Sequence, residues 1–194
     1  MTLHTTAQGA GLDPGQPGHR LELDCATCGF RGPTLGPRDA IVAIRSLPRR
    51  YRTALAVLAD DDPAADLFAQ RPRTGWWSAL ELAGHVRDVL HAKEKRLRRV
   101  NLEQEPAVGE EPEIPPTGVE EQGPEAILSA LEYNAEQLAR TAESIVAHDW
   151  VRTGRRADGP VSALDLLREA VHEGTHHLRD LDRAIREARI VNLQ

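Results

Sequence analysis

Residues 78–100 read SALELAGHVRDVLHAKEKRLRRV, and the spacing inside this stretch decides the fold class. Ser78 and Glu81 stand three apart at its start, the pattern of a capping box, in which hydroxyl and carboxylate satisfy orphan backbone amides reciprocally. Leu82, Val86, Val89, Leu90, Leu97 and Val100 then recur at intervals of three and four. They form one face of a helix about 35 Å long at ~1.5 Å per residue. Lys93, Lys95, Arg96, Arg98 and Arg99 crowd its C-terminal half and read as a solvated helix end that complements the negative pole of the helix dipole.

The same period returns on both sides. Upstream, Ile41, Ile44 and Leu47 repeat at helical spacing until Pro48, where Ser46 is expected to cap a fresh helix through Tyr51, Leu55 and Leu58. Downstream, the span 103–123 holds prolines at 106, 112, 115 and 116 among repeated glutamates, so it builds no core and reads as a long crossing loop. Pro124 opens a helix through Ile127, Leu128, Leu131, Leu138, Ile145 and Val146. A polar loop around residues 154–160 leads to Ser162 and Asp165, a second capping pair. A last helix follows, through Leu164, Leu167, Val171, Leu178, Leu181 and Ile185, to about Ala188. Strand signals are nearly absent. The chain reads as all-α: a four-helix bundle over residues 37–194, preceded by a flexible N-terminal segment, residues 1–36, that carries a C-x-x-C knuckle.

Composition bounds the rest. With 194 residues the chain suits one domain with appendages, and its net charge of −6 and pI near 5.8 argue against non-specific nucleic-acid binding. The longest apolar run, Ala54 to Ala59, is far too short to span a membrane. No secretory signal is visible at the start. The expectation is a soluble cytoplasmic protein with a small-molecule substrate as partner, neither nucleic acid nor membrane, in a bundle of a size that commonly pairs as a homodimer.

The chemistry concentrates in His172-Glu173-Gly174-Thr175-His176-His177. Two histidines four apart on a helix share one face and can reach one metal ion. Projected at about 100° per residue, His172 and His176 point away from the apolar stripe, so they face solvent or line a polar cleft. His85, which flanks the buried face of its own helix, is a candidate third ligand. Three neutral imidazoles leave positions open for water or substrate, as catalytic sites do. His91 and His148 read as surface residues. The segment also matches H-E-x-x-H literally, with Glu173 as a general base. A zinc-peptidase reading fails for want of a third ligand: the downstream carboxylates Asp180, Asp182 and Glu187 stay on the same helix. Cys25 and Cys28, with Gly29 after them, form half of a zinc knuckle, and any ion there needs outside ligands: His4, His19, bundle residues or a second chain. A redox pair or a plain structural turn are the competing readings. Trp76, Trp77 and Trp150 read as interhelix packing, with Trp77 also placed to wall a pocket.

The motif from Trp77 through His85 to Asp88, followed by Val171 to Asp180, resembles the DinB/YfiT-like superfamily over about residues 37–188. The resemblance implies an up-down-down-up four-helix bundle with a long crossing loop between its second and third helices. It also implies a divalent-metal site built from one His of the second helix and an H-x-x-x-H pair of the fourth, which map here onto His85, His172 and His176. Several relatives are metal-dependent transferases of low-molecular-weight thiols, mycothiol or bacillithiol, and mycothiol-dependent maleylpyruvate isomerases share the fold. The implied function is therefore a metal-dependent transfer of a mycothiol-type thiol to a small electrophile. Its alternatives are a hydrolase using Glu173 as base and a non-enzymatic metal-binding or stress protein. Zinc or nickel is the leading metal for such a site. Arg87 and Arg179, within a turn of the ligands, are expected to hold an anionic group of the substrate or thiol cofactor unless Asp88 and Asp180 engage them. The 103–123 loop is expected at the mouth.

Overall fold

The structure, a computed structural model, describes residues 24–56, 65–109 and 118–192. Most of the flexible segment expected over residues 1–36, with His4 and His19, therefore lies outside the described residues. Four long helices dominate: α1 (Pro37–Ala56), α3 (Ala79–Leu102), α4 (Val119–Glu143) and α5 (Ala163–Asn192), with a short α2 (Ala65–Ala69) between the first two. Each of α1 and α3 packs along both α4 and α5, which makes the four long helices a bundle with α1 and α3 at opposite corners. The shared core includes Ile44, Leu47 and Tyr51 of α1, Leu90 and Leu97 of α3, Leu131 and Leu138 of α4, and Leu167 and Leu181 of α5, all fully buried. No helix among the described residues is long and apolar enough to cross a membrane.

Both N-terminal caps form. The Ser78 hydroxyl accepts from the Glu81 amide at 3.1 Å and the Glu81 carboxylate accepts from the Ser78 amide at 2.8 Å, with Arg71 clamping the same carboxylate. At α5 the Asp165 amide donates to the Ser162 hydroxyl, which itself donates to the Asp165 carboxylate. Gly123 leaves helical geometry at φ 73°, so the regular part of α4 begins at Pro124 as its sequence indicates.

Three features differ from the sequence reading. First, α1 runs unbroken through Pro48. Burial of Ile44, Leu47 and Tyr51 on both sides of the proline outweighs the one backbone hydrogen bond it forfeits, and Ser46, instead of capping a new helix, donates to the Ala43 carbonyl. Second, the expected polar loop at 154–160 is an antiparallel hairpin, β3 (Thr153–Arg156) and β4 (Gly159–Ser162), turning through Ala157 and Asp158. The described start of the crossing segment zips onto it, the Val108 amide donating to the Arg155 carbonyl and the Arg155 amide to the Pro106 carbonyl. A Cβ at Gly154 would stand 3.2 Å from the Pro106 carbonyl oxygen and closer still to Val108, so only glycine admits that approach. Third, the basic end of α3 is not uniformly solvated. Lys93 is fully buried and pairs with Glu169 at 2.5 Å, and Arg156 from the hairpin meets the other face of the same carboxylate at 3.0 Å.

The rotation of α5 about its axis is set by α1. Gly174 presses its bare backbone against Leu47, where a Cβ would overlap the Leu47 side chain, and the Tyr51 hydroxyl donates to the Gly174 carbonyl at 3.0 Å. With that face held against α1, residues 172, 173, 176 and 177 turn toward α3 and the N-terminal knuckle. Gly174→Ala is expected to lower unfolding free energy by about 1–3 kcal/mol through overpacking. Combined with Leu47→Ala in a urea titration, the loss should fall short of the sum of the two single losses, whereas full additivity would contradict the close contact. Lys93→Met should cost about 3 kcal/mol in the same assay, because it strips a partner from the buried Glu169.

Candidate metal centres on one helix

The segment His172–His177 contains two overlapping pairs at i,i+4. Residues 172 and 176 form one stripe and residues 173 and 177 the next, rotated by about 100°. The structure uses both. Glu173 and His177 face His85 of α3, and one nitrogen or oxygen from each of the three lies within 4.8 Å of the others. His172 and His176 face Cys25 and Cys28, and those four ligand atoms also lie within 4.8 Å of one another. The set expected from sequence is thus divided. His85 shares a ligand group with Glu173 and His177, not with His172 and His176.

In the first cluster the Glu173 Oε2 sits 3.5 Å from His85 Nε2 and 3.1 Å from His177 Nε2. Burial opposes ionisation of Glu173, but the two imidazoles outweigh it and hold the carboxyl well below its usual range. Burial likewise disfavours the charged form of His177, yet the Asp180 and Glu173 carboxylates raise its pKa to about 9. Asp180 Oδ2 stands 3.4 Å from His177 Nδ1. Trp77, at the approach to α3, lies edge-on to the His85 ring at 5.5 Å and stacks at 6.3 Å on His177, so it walls the cluster as well as packing. A carboxylate and two imidazoles converging through Nε2, one imidazole backed by a second carboxylate through Nδ1, is a donor set that fits a divalent ion.

The second cluster joins the knuckle to α5. Strands β1 (Asp24–Cys25) and β2 (Phe30–Arg31) pair antiparallel around a turn in which the Gly29 amide donates to the Cys25 carbonyl at 2.8 Å, with Gly29 at φ +76°. Cys25 Sγ reaches His176 Nδ1 at 3.5 Å. His172, buried beneath the Phe30 ring at 5.2 Å, has no hydrogen-bond partner on either ring nitrogen among the described residues. Burial depresses its pKa, so it stands as a neutral imidazole. Burial also pushes the Cys28 thiol up to about 11, helped by its neighbour Cys25.

The remaining residues singled out in the sequence lie elsewhere. Arg87 is bonded to Asp88 at 2.8 Å and to Gln122, and Arg179 donates to the Thr27 carbonyl in the knuckle. Asp88 thus engages Arg87, while Asp180 turns inward to the histidines. His91 and His148 are exposed. Trp76 lies between the Arg73 and Arg183 guanidiniums, and Trp150 is buried. Residues 103–109 run along the β3–β4 hairpin, and 110–117 lie outside the described residues. Sequence reasoning missed His177 and Asp180 as members of the sites. The signal for His177 was present in the second i,i+4 pair, Glu173 with His177.

No curated protein sequence matches this chain. Among solved structures it is similar to YfiT from Bacillus subtilis, described as a probable metal-dependent hydrolase with an unusual four-helix bundle topology. That likeness has a TM-score of 0.67 at 16% identity, covers 80% of this chain and 87% of that one, and shows a shared fold. The sequence model of the DinB superfamily matches residues 44–181, which reach into all four long helices and include His85, His172, Glu173, His176 and His177 but not Cys25 and Cys28. With the bundle and the family model in agreement, the chain belongs to the DinB superfamily.

Proposed function

We propose that this chain is a divalent-metal-dependent transferase that activates a small thiol at His85, Glu173 and His177 and delivers it to an electrophilic small molecule. The observation that carries the reading is the position of Glu173. Its Oε2 lies between the two Nε2 atoms, in the place of a ligand, and is not left free to take a proton from water. The buried carboxylates among the described residues are committed elsewhere: Glu81 to Arg71 and the Ser78 amide, Glu94 to Arg98 and Thr141, Glu169 to Lys93 and Arg156, and Asp180 to His176 and His177. Hydrolysis by an activated water gains from a separate base, whereas thiol transfer needs none once the thiol has ionised.

The ion supplies the Lewis acidity that keeps a thiol in its thiolate form near neutral pH. Each residue of the cluster has its own task. His85 and His177 would hold the ion through Nε2, His177 giving up the proton that its carboxylate neighbours favour, and Glu173 would add one negative charge to retain the cation. Asp180 Oδ2, 3.4 Å from His177 Nδ1, acts on that imidazole through its charge, the nitrogen itself having no hydrogen-bond partner among the described residues. Trp77 shields one side from water and offers an apolar face to the substrate. Three protein ligands would leave a bound ion a position open to a thiol sulfur, with the electrophile beside it. In the transfer the thiol proton passes to solvent, a sulfur–carbon bond forms at the electrophile and its carbon–leaving-group bond breaks, the leaving group (halide from a haloaromatic) departing to solvent with the electron pair. The resemblance to thiol transferases of this superfamily points to a mycothiol-type thiol. Metal-dependent hydrolysis is the second reading, favoured by the description of the YfiT structure.

Titration of the cobalt-loaded protein with a small thiol separates the two. A new thiolate–cobalt absorption is expected on addition of thiol, absent in His85→Ala/His177→Ala. Metal-dependent consumption of thiol in the presence of a haloaromatic electrophile should fall in step. No spectral change at millimolar thiol, with metal-dependent ester or amide cleavage instead, would establish the hydrolase reading. Asp180→Asn is expected to lower metal affinity or thiol-transfer rate by about 10–100-fold, the usual effect of losing a carboxylate behind a ligating imidazole.

A further inference from the structure

We infer that Cys25, Cys28, His172 and His176 form a second, structural zinc site that clamps the N-terminal knuckle onto α5. It shares no ligand with the His85 cluster and stands independently of the function proposed above.

Five observations carry it. Two sulfurs and two imidazole nitrogens, brought together from segments nearly 150 residues apart, converge within 4.8 Å. Ligand atoms around a tetrahedral zinc stand about 3.3–3.8 Å apart, so only small side-chain adjustments close the shell. Cys25 Sγ and His176 Nδ1 are already at 3.5 Å. His172 is buried with both ring nitrogens unpartnered among the described residues, an arrangement that is costly unless something binds there. The knuckle itself is two strands of two residues, too small to persist alone, and its chief apolar anchor is Phe30 on the His172 ring. The Gly29 turn holds Cys25 and Cys28 on one side, as a knuckle requires.

The chemistry selects the ion and its role. Two thiolates and two neutral imidazoles suit zinc, cancel its charge and leave no position for substrate, so the site is closed and structural. His176 uses Nδ1 toward the sulfurs and turns Nε2 to Asp180 at 3.4 Å, which fixes its tautomer. Bonds from α5 guanidiniums, Arg179 to the Thr27 carbonyl in the knuckle and Arg168 to the Leu35 carbonyl just after it, hold the same segment in place. Asp180 therefore touches one imidazole of each site, and the zinc clamp orients a residue on which the neighbouring cluster depends.

Metal analysis of the full chain after removal of loosely held ions tests the assignment. Two ions per chain are expected in the wild type, one in Cys25→Ser/Cys28→Ser, and one in His85→Ala/His177→Ala. In cobalt-loaded protein without added thiol, the thiolate charge-transfer band should survive the His85→Ala/His177→Ala change and vanish in the Cys variant. Retention of the wild-type ion count in the Cys variant overturns the inference. Should that variant fail to fold, the wild type decides. Alkylation of its two thiols should be at least about tenfold slower with zinc than after chelation, because ligated thiolates are shielded. Equal rates, or a Cys25–Cys28 disulfide that persists with zinc present, overturn it as well. Loss of thiol transfer with the cysteine-dependent ion retained would count against the proposed function alone.

Discussion

A one-residue offset on a single helix governs the chemistry of this molecule. Four side chains of metal-ligating type lie within six residues of α5, and the pairs 172/176 and 173/177 leave the helix about 100° apart. Each pair finds its partners on a different neighbour. One meets His85 across the α3 interface, and the other meets the cysteines of the knuckle. What makes this workable is the third face of the same turn, where Gly174 lies against Leu47 and Tyr51 and fixes the rotation of the helix. A small error in that rotation would carry both pairs away from their partners together.

Charge is arranged with the same economy. Asp180, at one turn beyond both histidine pairs, lies in the angle between the two stripes and faces His176 and His177 at once. One buried carboxylate thus orients an imidazole for each cluster. A turn before His172, Glu169 is held between Lys93 and Arg156, so its charge is spent there and does not compete for a cation. The hairpin supplying Arg156 is in turn pinned to the crossing segment through Pro106 and Val108. Elements that look peripheral in the chain order therefore set the electrostatics of the centre.

The helices were legible because their burial is one-sided and their ends are marked. The Ser78–Glu81 box, the Pro124 start and the Ser162 cap all form where the residue types indicate. Pro48 misled because propensity is local while the burial that holds α1 together comes from its neighbours. The β3–β4 hairpin was hidden because its four-residue strands, rich in Arg and Gly, take their order from backbone pairing and not from apolar alternation. At the candidate site the sequence singled out residues 85, 172, 173 and 176, and indicated that any ion at Cys25 and Cys28 needed outside ligands. It could not say which of the two i,i+4 registers faces α3, because both histidine stripes are polar. That choice depends on the α1 contact at Gly174, a matter of three-dimensional packing.

Anomalous diffraction from crystals of the zinc-loaded full chain, collected at the zinc edge, tests the division of the histidines most directly. The expected map has two peaks per chain, one among His85, Glu173 and His177 and one among Cys25, Cys28, His172 and His176. A single peak bound jointly by His85, His172 and His176, with Cys25 and Cys28 bare, would contradict it.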